Sequence, residues 1–192
     1  MSHRTAADPG TVEQAGKYAR FELERRFLVD RLPEPVAGDR GWRIIDRYIK
    51  DTQLRLRRME PIHEGAAVLK LGQKYVPSPP EFGRTTITNI YLSPSEYAVL
   101  AGLDAFELRK RRYRVERAGA VFSVDVFDGH LEGLVLAEIS FNTREELDRP
   151  LDLPPWVVRE VSDDVRFTGG ALAELSQDQA AGLLREIGAL VR

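Results

Sequence analysis

From Tyr18 onward, apolar and polar residues alternate with a period of two along most of the chain, the pattern of strands with one face turned to a core. Eight segments read this way: ARFELERRFLV, GWRIIDRYI, QLRLRRME, AVLKLGQKY, GRTTITNIYL, FELRKRRYRVE, VFSVDVF and GLVLAEISF, separated by Gly, Pro, Asp or Asn turn signals. Helix signals fill the gaps. Ser93-Pro94-Ser95-Glu96 is a capping box with proline at the first helical position, and it predicts a short helix to about Ala101. Thr143-Arg144-Glu145-Glu146 offers a second start. Near the C-terminus Ser176 and Gln179 can cap a helix in which Ala180, Leu183, Leu184, Ile187, Leu190 and Val191 follow helical spacing, an apolar face to pack on the sheet. The pattern is that of an α+β fold, mainly antiparallel, with a few peripheral helices including an amphipathic one at the C-terminus. Residues 1–17, small and polar with Gly and Pro, predict a disordered tail, and 18–192 a single domain.

Composition changes this picture little. The chain has 192 residues, 43% hydrophobic and 30% charged, as expected of a globular protein. Its 28 basic and 30 acidic side chains leave a net charge of -2, so no global field favours nucleic acid or an anionic membrane. No apolar run approaches the roughly 18 residues of a membrane span, and the opening residues lack the apolar core of a secretory signal. There is no cysteine for a disulfide or a thiolate metal site. The cytoplasm is the expected location.

The candidate chemistry lies in how charges sort on the strands. Glu22, Glu24 and Arg26 share one side of the first strand, opposite Phe21, Leu23 and Phe27. Arg55 and Arg57 oppose Leu54 and Leu56; Lys70 and Lys74 oppose Leu69 and Leu71; Lys110 and Arg112 oppose Tyr113 and Val115. Arg84 leads its strand with Thr86 and Thr88 on its face, and later strands add Asp125 and Glu138. A solvated outer face is the plain alternative for any one of these residues. Collected on neighbouring strands, like charges repel unless an anion compensates. If the strands close into a barrel, eight cations (Arg26, Arg55, Arg57, Lys70, Lys74, Arg84, Lys110, Arg112) face four carboxylates (Glu22, Glu24, Asp125, Glu138) in its interior. That excess suits a polyphosphate, and carboxylates in the same space are tolerable to it when they hold Mg²⁺ or Mn²⁺.

Other chemistries find no footing. His3, His63 and His130 are isolated and read as surface residues, and no P-loop, dinucleotide-binding or hydrolase-elbow motif occurs. Gly169 and Gly170 fit a turn or helix entry better than an anion nest, Gly72 permits close ligand approach or a bulge, and Trp42 and Trp156 suit core or lid packing. Aromatic residues are few and lie opposite the cations, which argues against a nucleic-acid stacking platform.

At FELERRFLV the chain resembles the E-x-E-x-K signature of the CYTH superfamily, the triphosphate tunnel metalloenzymes, as Glu22, Glu24 and Arg26. LRLRR is similar to that family's basic strand, RKRRYRV to its K-x-R-Y strand, SVDVFDGHLEGLVLAEISF to its D-x-F…G-L-x-x-A-E stretch, and WVVREVSDDVRFTGGALA to a later region. The resemblance runs from about Tyr18 to Leu175 and implies an eight-stranded closed β tunnel, a divalent metal and a ligand carrying a triphosphate. It implies Glu22, Glu24 and Glu138 as metal ligands, with Asp125 approaching the metal or orienting a basic neighbour. Arg55, Arg57, Lys70, Lys74, Arg84 and Arg112 then bind phosphate, with Arg26 and Lys110 as catalytic cations. The departures are Arg26 in place of the signature lysine, Thr86 and Thr88 where many members carry acids, and Ser123 and Ser140 where acids are common.

Three functions follow from the resemblance. The first is a metal-dependent phosphohydrolase acting on inorganic triphosphate or on a small molecule bearing one, using Mg²⁺ or Mn²⁺. The second is a non-catalytic binder of polyphosphate or nucleotide, the lost acids having abolished turnover. The third, ranked last because no base-recognition site is visible, is cyclisation of ATP as in class IV adenylate cyclases. The expected partner is a triphosphate-containing small molecule or inorganic polyphosphate, not a membrane or nucleic acid, with a homodimer left open.

Overall fold

The structure, a computed structural model, describes residues 18–31, 33, 41–75, 82–117 and 119–190; the expected tail lies outside them, as does Val191. All eight expected strands form: β1 (Arg20–Val29), β2 (Gly41–Ile49), β3 (Leu54–Pro61), β4 (Val68–Tyr75), β5 (Arg84–Tyr91), β6 (Ala105–Arg117), β7 (Ala120–Phe127) and β8 (Val135–Phe141). They run antiparallel in the order β5-β4-β3-β2-β6-β7-β8-β1, and β1 pairs back onto β5 to close a barrel. A ninth strand, β9 (Val157–Glu160), lies outside the barrel on the same edge of β1, farther along than β5. Between the two partners the β1 backbone is satisfied singly: Glu24 N–H donates to Gly83 O at 2.8 Å and Arg26 N–H to Ser162 Oγ at 2.9 Å.

The helices follow their caps. In α1 (Pro94–Leu100) both halves of the Ser93–Glu96 capping box are present. Thr143 caps α2 (Arg144–Asp148), and Thr168 caps α3 (Gly169–Glu174), which the sequence reading did not separate. Ser176 and Gln179 exchange side-chain and backbone hydrogen bonds at the start of α4 (Gln177–Leu190). Ala180, Leu183 and Ile187 are buried, whereas Leu190, expected in the same apolar stripe, is 45% exposed. Among the described residues no helix is long and apolar enough to cross a membrane.

Two apolar clusters frame the tunnel. One combines Leu28, Leu108, Phe127 and Leu136, at one end of the inward face, with Phe167, Leu172, Ala180, Leu183 and Ile187 from the C-terminal segments. The helices thus pack where the barrel interior itself turns apolar. The other covers the outside of β1, β7 and β8, where Phe27, Phe122, Val124 and Ala137 meet Trp156, whose ring stands edge-on to Phe122 at 4.9 Å. Trp156 is core packing. Burial of that extent on both sides holds the intervening polar stretch in place.

Candidate active site

Register puts the sorted charges on one inward face. Arg26 pairs with Glu138, Asp46 with Arg57, Tyr48 with Arg55, Arg57 with Lys70, Ile44 with Lys110 and Arg112 with Asp125. Glu22 and Glu24 alternate with these on β1, and Lys74 reaches Glu22 at 2.7 Å across the closing seam. Trp42 also turns inward, opposite Arg112.

Arg84 does not join them. It pairs in register with Leu23 and lays its guanidinium 4.0 Å from the centroid of Phe21, on the outer face. Thr86 and Thr88 lie on that outer face too; Thr85 and Ile87 turn inward, opposite Glu22 and Lys74. Ile87 is only 4% exposed, and in a strand of period two its burial decides where its neighbours point. The two β5 positions where many members carry acids are therefore outside the tunnel, whereas Ser123 and Ser140 pair with the inward Glu138 and Glu24. With Arg84 out and Asp46 in, the buried and part-buried stretch of the inward face carries, among the described residues, seven cations (Arg26, Arg55, Arg57, Lys70, Lys74, Lys110, Arg112) and five carboxylates (Glu22, Glu24, Asp46, Asp125, Glu138). The excess is smaller than the sequence suggested, but still positive.

On the β2–β3–β4 side Asp46 is fully buried and accepts from Arg57 Nε and Nη2 at 2.5 and 2.6 Å. Burial opposes its charge, but Arg57 and Arg55 hold its carboxyl well below the usual range. Arg55 Nε lies 3.8 Å from Asp46 and is buried without a hydrogen-bond partner. Lys70 has no ion pair among the described residues; burial, Arg57 and Arg55 push its amine down to about 8. Gly72 makes room here, since a Cβ would stand 2.7 Å from Asn89 Oδ1 and 3.8 Å from Arg55 Nη2. At the helix-covered end, a Cβ on Gly169 would fall 2.0 Å from the Tyr48 hydroxyl. The glycine pair thus serves helix entry and lets α3 close over Tyr48.

On the β1–β6–β7–β8 side Asp125, 2% exposed, accepts from Arg112 Nε and Nη2, each at 2.6 Å, and from Lys110 Nζ at 2.6 Å. It thus holds two basic neighbours in place. Arg112 Nη2 also donates to Glu138 Oε2 at 2.7 Å, and Arg26 Nε to Glu138 Oε1 at 3.0 Å. Against the cost of burial these guanidinium groups hold Glu138 well below its ordinary pKa. Glu24 is the opposite case. Its carboxylate accepts from the Ser140 hydroxyl at 3.5 Å, and burial together with the charges of Glu138 and Glu22 pushes its pKa up.

Among the described residues no three acids or histidines stand together as a ready metal cluster. The donor chemistry nonetheless suits a hard cation. Glu24 is a half-buried carboxylate with no ion pair, beside two further carboxylates, so an oxygen-seeking divalent ion would relieve it. His130 packs its ring nitrogen against Leu172 O at 3.2 Å, among the C-terminal segments. Sequence reasoning missed Asp46 and Tyr48. The available signal was a carboxylate two residues from Ile44, on the face that Ile44 buries.

No family model matches the chain. It is 34% identical over 167 residues to an inorganic triphosphatase of Nitrosomonas europaea, covering 79% of this chain and 96% of that protein. A second inorganic triphosphatase, from Acetivibrio thermocellus, matches at 34% over 67 residues, 35% of this chain and 41% of the relative. A solved inorganic triphosphatase structure shares the fold with a TM-score of 0.55 at 24% identity, covering 81% of this chain and 95% of that one. Identity of this level along nearly the whole length of a relative, on a barrel that turns the signature residues Glu22, Glu24 and Arg26 into its interior, means that the chain belongs to the CYTH superfamily of triphosphate tunnel metalloenzymes.

Proposed function

We propose that this chain hydrolyses a phosphoanhydride of inorganic triphosphate or of a small molecule bearing a triphosphate. The observation that carries the reading is the pair of under-used cations on the β3–β4 wall, Arg55 and Lys70, inside a closed barrel. Nothing among the described residues balances them fully, and a condensed phosphate would.

Arg55, Arg57, Lys70 and Lys74 bind the phosphates, with Arg57 oriented by Asp46 and Arg55 drawn toward the same carboxylate. Lys110 and Arg112, fixed by Asp125, and Arg26 face the bond that breaks, where they neutralise charge moving to the leaving oxygen. Phosphoryl transfer asks chiefly for positioning and electrostatics of this kind. Arg26 stays charged and cannot take a proton from the attacking water. Glu22, Glu24 and Glu138 are the residues that would hold Mg²⁺ or Mn²⁺, which when bound neutralises phosphate charge and acidifies water.

The test is free-phosphate release from tripolyphosphate and from nucleoside triphosphates by the purified protein with Mg²⁺ or Mn²⁺. Release is expected, and is expected to vanish in Glu22→Ala/Glu24→Ala. If no triphosphate yields phosphate above that double variant, hydrolysis is rejected; calorimetric binding without product would then favour a non-catalytic binder.

A further inference from the structure

Arg26 stands where the resembled signature has lysine, and a guanidinium fork can do what an ammonium cannot. Its Nε lies 3.0 Å from Glu138 Oε1, and its Nη2 also 3.0 Å from the same oxygen. Arg112 takes the other oxygen at 2.7 Å while its fork stays on Asp125. Both oxygens of Glu138, whose side chain is 14% exposed, are therefore capped by guanidinium groups. Next to it on the inward face, Glu24 pairs in register with Ser140 and forms no ion pair among the described residues. Glu138 and Glu24 are thus neighbouring inward carboxylates on paired strands, and the arginines occupy the oxygens of Glu138.

We infer that a bound triphosphate, by drawing Arg26 and Arg112 onto its own oxygens, releases Glu138 to join Glu24 as a donor for the divalent cation. The inference rests on the triphosphate reading above. Its physical basis is an exchange of partners. Phosphate oxygens compete well for arginine forks. A half-buried carboxylate stripped of its guanidinium partners is costly unless another cation arrives. Ligand and cation then bind with positive coupling, each raising the affinity of the other by the same factor. Part of that coupling is set by Arg26, separately from any contact between cation and phosphate.

Mn²⁺ binding to the whole protein, followed by electron paramagnetic resonance of the free ion, tests this without turnover. Wild type without triphosphate is expected to bind Mn²⁺ weakly. Arg26→Gln is expected to tighten that binding about tenfold, within the range of ordinary coupling factors. The gain should disappear in Arg26→Gln/Glu138→Gln. In wild type a non-hydrolysable imidotriphosphate should tighten Mn²⁺ binding more than it does in Arg26→Gln. Should Arg26→Gln fail to fold, Arg26→Lys keeps the charge, removes the fork and carries the same comparison. Mn²⁺ affinity unmoved by a folded Arg26 variant, or a gain that survives Glu138→Gln, overturns the inference. Imidotriphosphate binding measured by calorimetry in EDTA separates the two layers. If wild type fails to bind it, the triphosphate reading itself falls; if it binds but the Mn²⁺ affinities do not move, only the release of Glu138 falls.

Discussion

The two walls of the tunnel solve the same electrostatic problem in opposite ways. On the β2–β3–β4 side one fully buried carboxylate, Asp46, stands against Arg57 and Arg55 and leaves Lys70 unpaired, so positive charge is in surplus. On the β1–β8 side Glu138 is shared between two arginines, while Glu24 forms no ion pair among the described residues. On the proposed function a triphosphate would complete the first wall and a divalent cation the second. Buried charges left this incompletely paired do not serve stability, since well-packed apolar residues would serve it as well or better. On that proposal they serve a ligand that carries both signs.

The contrast can be broken most severely at Asp46. Asp46→Ala strands two buried guanidinium groups, and stability should fall by about 3–5 kcal/mol, read from urea denaturation. Next comes Arg55→Ala, which removes the primed cation while leaving the Asp46–Arg57 pair intact. Tripolyphosphate affinity should weaken about thirtyfold, the equivalent of about 2 kcal/mol, with folding little changed. Gly169→Ala would drive a methyl group into the Tyr48 hydroxyl. Overpacking of that kind costs about 1–3 kcal/mol, and a shift in melting temperature measures it.

Lys70 sharpens the comparison through pH. Its amine is lowered from 10.5 to about 8, so the folded chain holds that proton less tightly than the unfolded one. Ligand-free stability should therefore rise as pH climbs from about 8 toward 10.5, while triphosphate affinity falls over the same window as the charge is lost. Titration calorimetry at several pH values reads the affinity, and Lys70→Arg should abolish its decline. The smallest effect belongs to the outer face. Arg58→Ala breaks an exposed pair with Glu60, and should leave stability within about 1 kcal/mol and affinity unchanged.

Much of this was legible in the primary structure. Period-two alternation located all eight barrel strands, and the capping residues located α1, α2 and α4. What alternation cannot supply is phase. On β5 the arginine looked like an inward cation, yet the burial of Ile87 turned Arg84 out onto Phe21. Asp46 escaped notice for the converse reason, being a lone acid on a strand whose visible arginines, Arg43 and Arg47, face outward. The short β9 and α3 depend on docking against β1 and Tyr48, contacts distant in sequence. Pairing between charges was equally hidden, because nothing local says that Arg26 and Arg112 converge on Glu138.

The most direct measurement is calorimetric titration of tripolyphosphate into the metal-free protein, wild type beside Arg57→Ala. Saturable one-to-one binding that weakens with added salt and drops sharply in the variant is the expected result. Heat indistinguishable between the two proteins, or no saturable binding to wild type, would show that the inward cations are not there for a condensed phosphate.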